Sequence, residues 1–515
     1  MSEGGVPHLY KMQTPLTDQE MSIFSLLITV KKYFNIETGI RVVGGWVRDK
    51  VMRLESHDID ITTDGVSGVE FSNYVIEYLH ANNIPTSSTK YATQSEHLAT
   101  ATVSFYGLSI DFNSPRAEEY HDTRIPIIRK GTLLEDCLRR DFTINGLFYR
   151  IEDGVIEDYS SGYADINNKV LKTPIDPFVS FVDDPLRVYR GIRFASKFTF
   201  TIEKNTWEAM HSEAFKRVTN KVTKERRLPE INNILKTCNA GFGLHCLADC
   251  GLIEEVVTCN AIQTVLPNFM YSDYAAATIK LAYICEGILK RCFETPEVFN
   301  SLTCGYSSNA NNKDYSTVSY FNDIANYGEI MRILGLCSIC FAFKDITYVF
   351  KNKTYHVYQN VIIDGLKMTA KDRELVDCIF DSVNLFQEKS DVCERLILGR
   401  MMLKAKTMWT VVCVFYIAIH CVIDIPQIPF LQFGFDGKEA HAKLLALYSK
   451  IYNYGLVHIW ELEPAFNGNQ IAELFNKKKG KWIQKAMSDL IEYQIAHPEY
   501  TTESCKLFLC SQNYN

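Results

Sequence analysis

Two aspartates one residue apart, Asp58 and Asp60 in "HDIDITTDG", carry the first chemistry that can be read from this chain. Side chains alternate along an extended strand, so both carboxylates project from one face about 7 Å apart. Such a pair suits one or two hard cations such as Mg2+, which take oxygen ligands and keep waters or substrate phosphates in their remaining positions. Taken alone, the pair reads more simply as two solvated acids on an edge strand. The stretch "GGWVRD" just upstream reverses that reading. Gly44 and Gly45 have no side chain to hold phosphate oxygens off the backbone, the amides opening the next helix can cradle an anion, and Arg48 adds a cation. Asp111, in "LSIDFN", alternates with Ile110 and Phe112 on a later strand, which makes it a third acid facing either the same site or solvent.

A second set of groups could read a base. In "DDPLRVYRGIR", Asp184, Arg187, Arg190 and Arg193 recur at intervals of three, a spacing that lines them along one helix flank. Aspartate accepts and arginine donates. Cytosine and adenine each present an exocyclic amine beside a ring-nitrogen acceptor, whereas uracil and guanine present a carbonyl beside a ring N–H. One Asp and Arg pair therefore accepts C and A and rejects U and G, because a mismatch leaves buried polar groups unpaired. An ion pair on a solvated helix is the plainer reading of the same spacing. In "RRDFTINGLF", Arg139 and Arg140 flank Asp141, with Asn145 one helical turn further on, a polar cluster able to read a ribose hydroxyl. A cap on a helix start is the simpler alternative there.

These residues need a scaffold. Short β-rich runs, "IRVVGG", "HDIDITTD", "LATATVSFY" and "LSIDFN", dominate from about residue 38 to 113, with helix-length segments between them at 46–54 and 66–80. Ahead of them, Thr17 and Glu20 form a capping-box pair before an apolar helical pattern. From about 180 onward helical patterns prevail. The fold class is α+β: a head with a small mixed β-sheet and helices, then a mostly α-helical remainder.

The motifs together resemble the nucleotidyltransferase superfamily branch that contains class II CCA-adding tRNA nucleotidyltransferases and bacterial poly(A) polymerases. "GGWVRD" with "DID" is similar to the first family motif, "RRDFTINGLFY" to the second, and "DDPLRVYRGIRFASKFTF" to the nucleotide-selecting helix, in matching order over roughly residues 15 to 235. The resemblance implies a catalytic head at 1–150, a neck at 151–240 and a helical, tRNA-binding body and tail at 241–515. It implies Asp58 and Asp60 as Mg2+ ligands with Asp111 as a third acid, and a two-metal attack of the RNA 3′-hydroxyl on the nucleotide α-phosphate. It implies Asp184 and Arg187 as a protein template for CTP and ATP, Arg190 and Arg193 as nucleotide contacts, and Arg140 and Asp141 as contacts to nucleotide and sugar. Asp158 and Gly162 would be structural, and Glu225 and Arg226 would brace the neck. A poly(A) polymerase or a CC-only enzyme would share every motif quoted, and a catalytically silent RNA-binding scaffold would share the fold. The CC-only enzymes lack a flexible loop between the first two motifs, whereas here 27 residues, 112–138, separate Asp111 from Arg139 and include the polar "SPRAEEYHDTRIPIIRKGT". One departure is Gly146, where the family usually has a small residue such as alanine; in a helix it would cost up to ~1 kcal/mol.

The bulk properties set limits. With 515 residues the chain predicts more than one domain, and a net charge of −7 confines any nucleic-acid contact to a local surface. Sixteen scattered cysteines predict free thiols in a reducing compartment, which fits a cytoplasmic protein and leaves nuclear or mitochondrial pools open. Neither the Cys337–Cys340 pair nor His245, Cys246 and Cys250 offers a complete zinc set. The most apolar run, Met408–Ile423, is 16 residues, short of the ~20 of a membrane span, and reads as a buried helix or a pair of strands. Residues 300–317, rich in Asn and Ser, predict a surface loop.

Overall fold

The computed structural model describes the chain except residues 1–4, 57, 92–99, 120–126, 295–323, 388–392, 422–436 and 515. The predicted surface loop at 300–317 and the centre of the predicted flexible loop lie outside the described residues. The chain divides into two compact units, Met1–Glu230 and Ile231–Asn515.

The first unit is built on an eight-stranded mixed sheet. In chain order its elements are β1 (His8–Lys11), α1 (Asp18–Tyr33), β2 (Ile40–Val43), α2 (Gly45–Val51), β3 (Ile59–Thr63), α3 (Gly68–Ala81), β4 (Thr86–Tyr91), β5 (Ala101–Phe105) and β6 (Leu108–Asn113). A separate two-stranded hairpin, β7 (Arg116–Glu119) and β8 (Ile127–Lys130), leads to α4 (Leu133–Leu138), and β9 (Leu147–Arg150) and β10 (Val155–Asp158) complete the sheet. The strand order is β1-β10-β9-β2-β3-β6-β5-β4. Every pairing is antiparallel except β3 with β6, whose connection carries α3 across the sheet. Alternation sorts the faces of the central strands. Ile59, Ile61, Ile110 and Phe112 are buried, with Phe112 packed near Phe71 of α3, while Asp60 and Asp111 project from the opposite face.

The helical part of this unit comprises α5 (Gly162–Asn167), α6 (Pro177–Asp183), α7 (Leu186–Phe198), α8 (Lys204–Met210), α9 (Glu213–Lys216) and α10 (Lys224–Leu235), whose last residues open the second unit. Asp158 is fully buried and accepts three backbone N–H bonds, from Ser160, Gly162 and Tyr163, which fixes the turn into α5. A Cβ on Gly162 would lie 2.2 Å from the Thr143 carbonyl oxygen, so only glycine fits this approach. Both residues thus hold a turn in place.

Among the described residues the second unit is helical apart from the hairpin Thr347–Phe350 and Lys353–His356. The apolar run read at Met408–Ile423 forms the helix Trp409–Cys421, buried along most of its length. The stretch Glu394–Cys421 is long and apolar enough to cross a membrane by length and composition, and 67% of its most apolar window is buried inside the unit.

Candidate active site

A cleft of about 890 Å³ opens over the acid face of β2, β3 and β6. It gathers eleven of the twelve site residues read from the sequence, Asp58 being the exception. Eight arginines and six acids line it, a local excess of positive charge on an acidic chain.

Gly44 follows β2 at φ +74° and turns the chain into α2 at Gly45. A Cβ here would come within 3.3 Å of Arg140 Nη1 and 3.8 Å of Asp60 Oδ2, so the bare backbone keeps the cleft floor open. Arg48, one turn into α2, is buried and donates to Asn145 Oδ1 at 2.6 Å and to Asp49 at 2.8 Å. Its guanidinium also lies over the Phe194 and Phe198 rings, 5.2 and 4.9 Å from their centroids. The sequence indicated the cation; the fold adds a clamp that fixes its direction.

Asp60 and Asp111 are direct register partners across the parallel β3–β6 pair. Asp58 precedes the first residue of β3 and is exposed. Burial, then the charges of Asp58 and Asp111, push the Asp60 carboxyl up to about 6. Asp111 is steadied by the Thr102 hydroxyl, which donates to it at 2.6 Å. A cation between these carboxylates would relieve their mutual repulsion, so the donor set fits a divalent metal. Among the described residues no three acidic, imidazole or thiol groups form a closed cage. Mg2+ does not require one, since it binds through one or two carboxylates and completes its shell with water and phosphate.

The "RRD" segment is organised by a buried acid just upstream of it. Asp136, buried in α4, receives Arg139 at 2.6 Å and Arg140 at 2.9 Å, and those two charges hold its carboxyl below the usual range against the opposing pull of burial. The spacings of three and four from Asp136 to the two arginines were the available signal. Asn145 lines the cleft and is held by bonds within the protein. Its amide donates to Asp141 at 2.9 Å and its carbonyl oxygen accepts from Arg48, so it ties the phosphate side of the cleft to the RRD segment. Asp141 also accepts from Arg190 Nε at 2.7 Å. Burial raises its carboxyl, but Arg190 and the Asn145 amide outweigh this and hold it low. Gly146 is not a helix residue: it follows the single 3₁₀ turn Thr143–Asn145 and leads into β9. A Cβ there would lie 2.7 Å from Cys137 Sγ and 3.1 Å from Ser160 Oγ, so the expected helix penalty gives way to a steric requirement for glycine.

The selecting segment is arranged differently from a single helix flank. Asp184 stands before α7 in extended backbone, φ −136° and ψ 98°, because Pro185 follows it and disfavours helical geometry in the preceding residue. Asp184 and Arg187 are not a surface ion pair with each other. Arg187 donates to Ser180 Oγ at 2.7 Å and to the Arg139 carbonyl at 2.6 Å, while Asp184 is met by Arg226 of α10 at 3.1 Å. Arg193 donates to Glu230 at 2.5 Å. Neither Arg226 at the cleft nor Glu230 beside Arg193 follows from the sequence, since only tertiary packing brings α10 beside α7.

This geometry agrees with what similarity finds. Residues 40–172 match the poly A polymerase head domain, and residues 199–258 match the probable RNA and SrmB- binding site of polymerase A. The tRNA nucleotidyltransferase cca2 of Schizosaccharomyces pombe is 31% identical over 529 aligned residues, covering 96% of this chain and 98% of that protein. The mitochondrial CCA tRNA nucleotidyltransferase of Candida glabrata is 28% identical, covering 96% of each. The solved structure of a Thermotoga maritima CCA-adding enzyme complexed with tRNA shares the fold over 98% of both chains, with a TM-score of 0.58 at 18% identity. The head, with its acids and arginine-lined cleft, defines a nucleotidyltransferase. The chain belongs to the CCA tRNA nucleotidyltransferase family.

Proposed function

We propose that this enzyme adds C, C and A in turn to tRNA 3′ ends from CTP and ATP, releasing pyrophosphate. The observation that carries the reading is the convergence of three functions in one cleft: the facing acids Asp60 and Asp111, the cation set of Arg48 and Arg140, and the base-reading groups Asp184 and Arg187. Near full-length similarity to two proteins named tRNA nucleotidyltransferases supports the substrate.

In this mechanism the RNA 3′-hydroxyl loses its proton to water and attacks the α-phosphorus in line, the bond from that phosphorus to the α,β-bridging oxygen breaks, and pyrophosphate leaves. Asp58 and Asp60 would hold Mg2+, with Asp111 beside them; the bound cation supplies Lewis-acid polarisation of hydroxyl and phosphate. Gly44, Gly45 and Arg48 receive the triphosphate, whose charge Arg140, Arg190 and Arg193 offset. Arg140 and Asp141 position the sugar. Asp184 accepts from the exocyclic amine of C or A and Arg187 donates to the ring nitrogen, which excludes U and G. Residues 1–150 act as head and 151–240 as neck. The helical 241–515 contacts tRNA by shape and backbone, the readout that duplex RNA permits. Relatives named mitochondrial in Candida glabrata and Saccharomyces cerevisiae support a mitochondrial pool beside a cytoplasmic one.

The test is extension of a tRNA transcript ending at its discriminator base, with Mg2+ and the four nucleotides singly and together, followed by sequencing of the 3′ ends. Growth by CCA and then arrest is expected. A long A tail would reassign the enzyme as a poly(A) polymerase, and arrest at CC or a requirement for a CC-ending primer would make it a partial enzyme. Asp58→Ala and Asp60→Ala should each abolish extension while leaving tRNA binding intact; activity retained in both would overturn the metal assignment.

A further inference from the structure

The two base-reading groups are anchored by different means. Arg187 is fixed within its surroundings by Ser180 and the Arg139 carbonyl. Asp184 has a weak local restraint, the Leu186 N–H at 3.3 Å, and otherwise depends on a separate helix. Arg226, in the first turn of α10, places one guanidinium nitrogen 3.2 and 3.1 Å from the two carboxylate oxygens. Four residues further along the same helix, Glu230 accepts from Arg193 at 2.5 Å and faces Arg190 at 3.7 Å. Residues four apart share a helix face, so α10 grips the selecting segment at two points, one of them the base reader itself.

We infer that Arg226 is a positioning residue that sets the orientation of the Asp184 carboxylate for base selection. The inference rests on the reading of Asp184 and Arg187 as the groups that recognise the base. A carboxylate offers about four acceptor sites. One nitrogen shared between both oxygens leaves each with room for another donor. An incoming exocyclic amine can therefore take one oxygen while Arg226 retains the other, and the carboxylate plane stays fixed as the base enters. Without Arg226 the carboxylate turns about its side-chain bonds, and the amine of C or A meets an acceptor that is only sometimes in line. Uracil and guanine, which need a donor at that position, are then rejected less sharply, because the group that opposes their carbonyl can swing away. Lysine keeps the charge but lacks the planar fork, so it restores the arrangement only in part.

The experiment is single-nucleotide incorporation on tRNA primers ending at the discriminator base, at C and at CC, with each of the four nucleotides. Wild type, Arg226→Ala, Arg226→Lys, Asp184→Ala and the Asp184→Ala/Arg226→Ala double variant are compared. Arg226→Ala should raise KM for CTP and ATP by about tenfold with a smaller change in kcat, and raise misincorporation of UTP and GTP. Arg226→Lys should fall between wild type and Arg226→Ala. In the absence of Asp184, removal of Arg226 should change neither KM nor selectivity further, which a purely structural role for Arg226 would not produce. If Arg226→Ala keeps KM and nucleotide preference within twofold of wild type while Asp184→Ala alters them, the inference is wrong and the base-reading assignment stands. If Asp184→Ala also leaves preference unchanged, the base-reading assignment itself falls and takes the inference with it.

Discussion

At the scale of single residues, the cleft works by arranging opposite charges at unequal depths. Asp60 is the clearest case, because burial raises its carboxyl and the charges of Asp58 and Asp111 add to this against the opposing charge of Arg140. Its carboxyl sits near 3.8 in an unfolded chain and at about 6 in the fold. Ionisation therefore works against the folded state, and the protein loses stability as pH rises through that window. A bound cation removes the penalty, so Mg2+ should raise the unfolding midpoint more at about pH 7.5 than at about pH 5. Asp60→Asn should erase the difference; equal shifts at both pH values in the wild type would contradict the metal reading. Gly146 makes a second point about single residues. Alanine at this position would help a helix, but here its Cβ would crowd Cys137 and Ser160. Gly146→Ala should destabilise the protein by about 1–3 kcal/mol, and Cys137→Ala should recover part of that loss in the double variant. Denaturant melts of the four proteins decide it, and additive effects would refute the crowding.

At the scale of elements, the same side chain often serves the element it belongs to and the one it packs against. Glu20 closes the capping box of α1, as its spacing from Thr17 predicted, by accepting from the Thr17 N–H at 2.7 Å. The structure gives it two further partners in α2: the Trp46 indole donates to it at 2.8 Å, and Lys50 pairs with it at 2.8 Å. Glu20 and Lys50 are both buried, so Glu20→Ala leaves an ammonium without its counter-charge at about 3–5 kcal/mol. Loss of the cap alone, in Thr17→Ala, should cost about 1 kcal/mol. Equal costs in thermal unfolding of the two variants would mean the buried pair contributes nothing. The selecting segment departs from its sequence reading for a local reason. A repeat of three predicted one continuous flank, yet Pro185 separates Asp184 from α7 and frees it to meet α10.

At the scale of the whole molecule, a net charge of −7 coexists with a cleft in which arginines outnumber acids by eight to six. Average charge carries no information about that concentration, because the arginines come from α2, β7, the segment after α4, α7 and α10 folding around one space. The mixed sheet of the head was legible, since strand periodicity and glycine turns are local properties that neighbouring residues dictate. The helical character of the second unit was legible too, and its most apolar run became a buried core helix. The pairing of Asp60 with Asp111 was not. It requires β3 and β6 to lie side by side with α3 crossing between them, a register no local pattern states.

The sequence by itself determined which chemical groups were available and which local turns would present them: two glycines, three acids and the arginines at intervals of three. It also determined the family, through the order of its motifs. Tertiary structure alone decided which charge meets which. Asp136 takes Arg139 and Arg140, Asn145 links Arg48 to Asp141, and Asp184 goes to Arg226 rather than Arg187. The physical reason is that ion pairs and hydrogen bonds act over a few ångströms in space, and spacing along the chain reports that distance only within a single helix or strand.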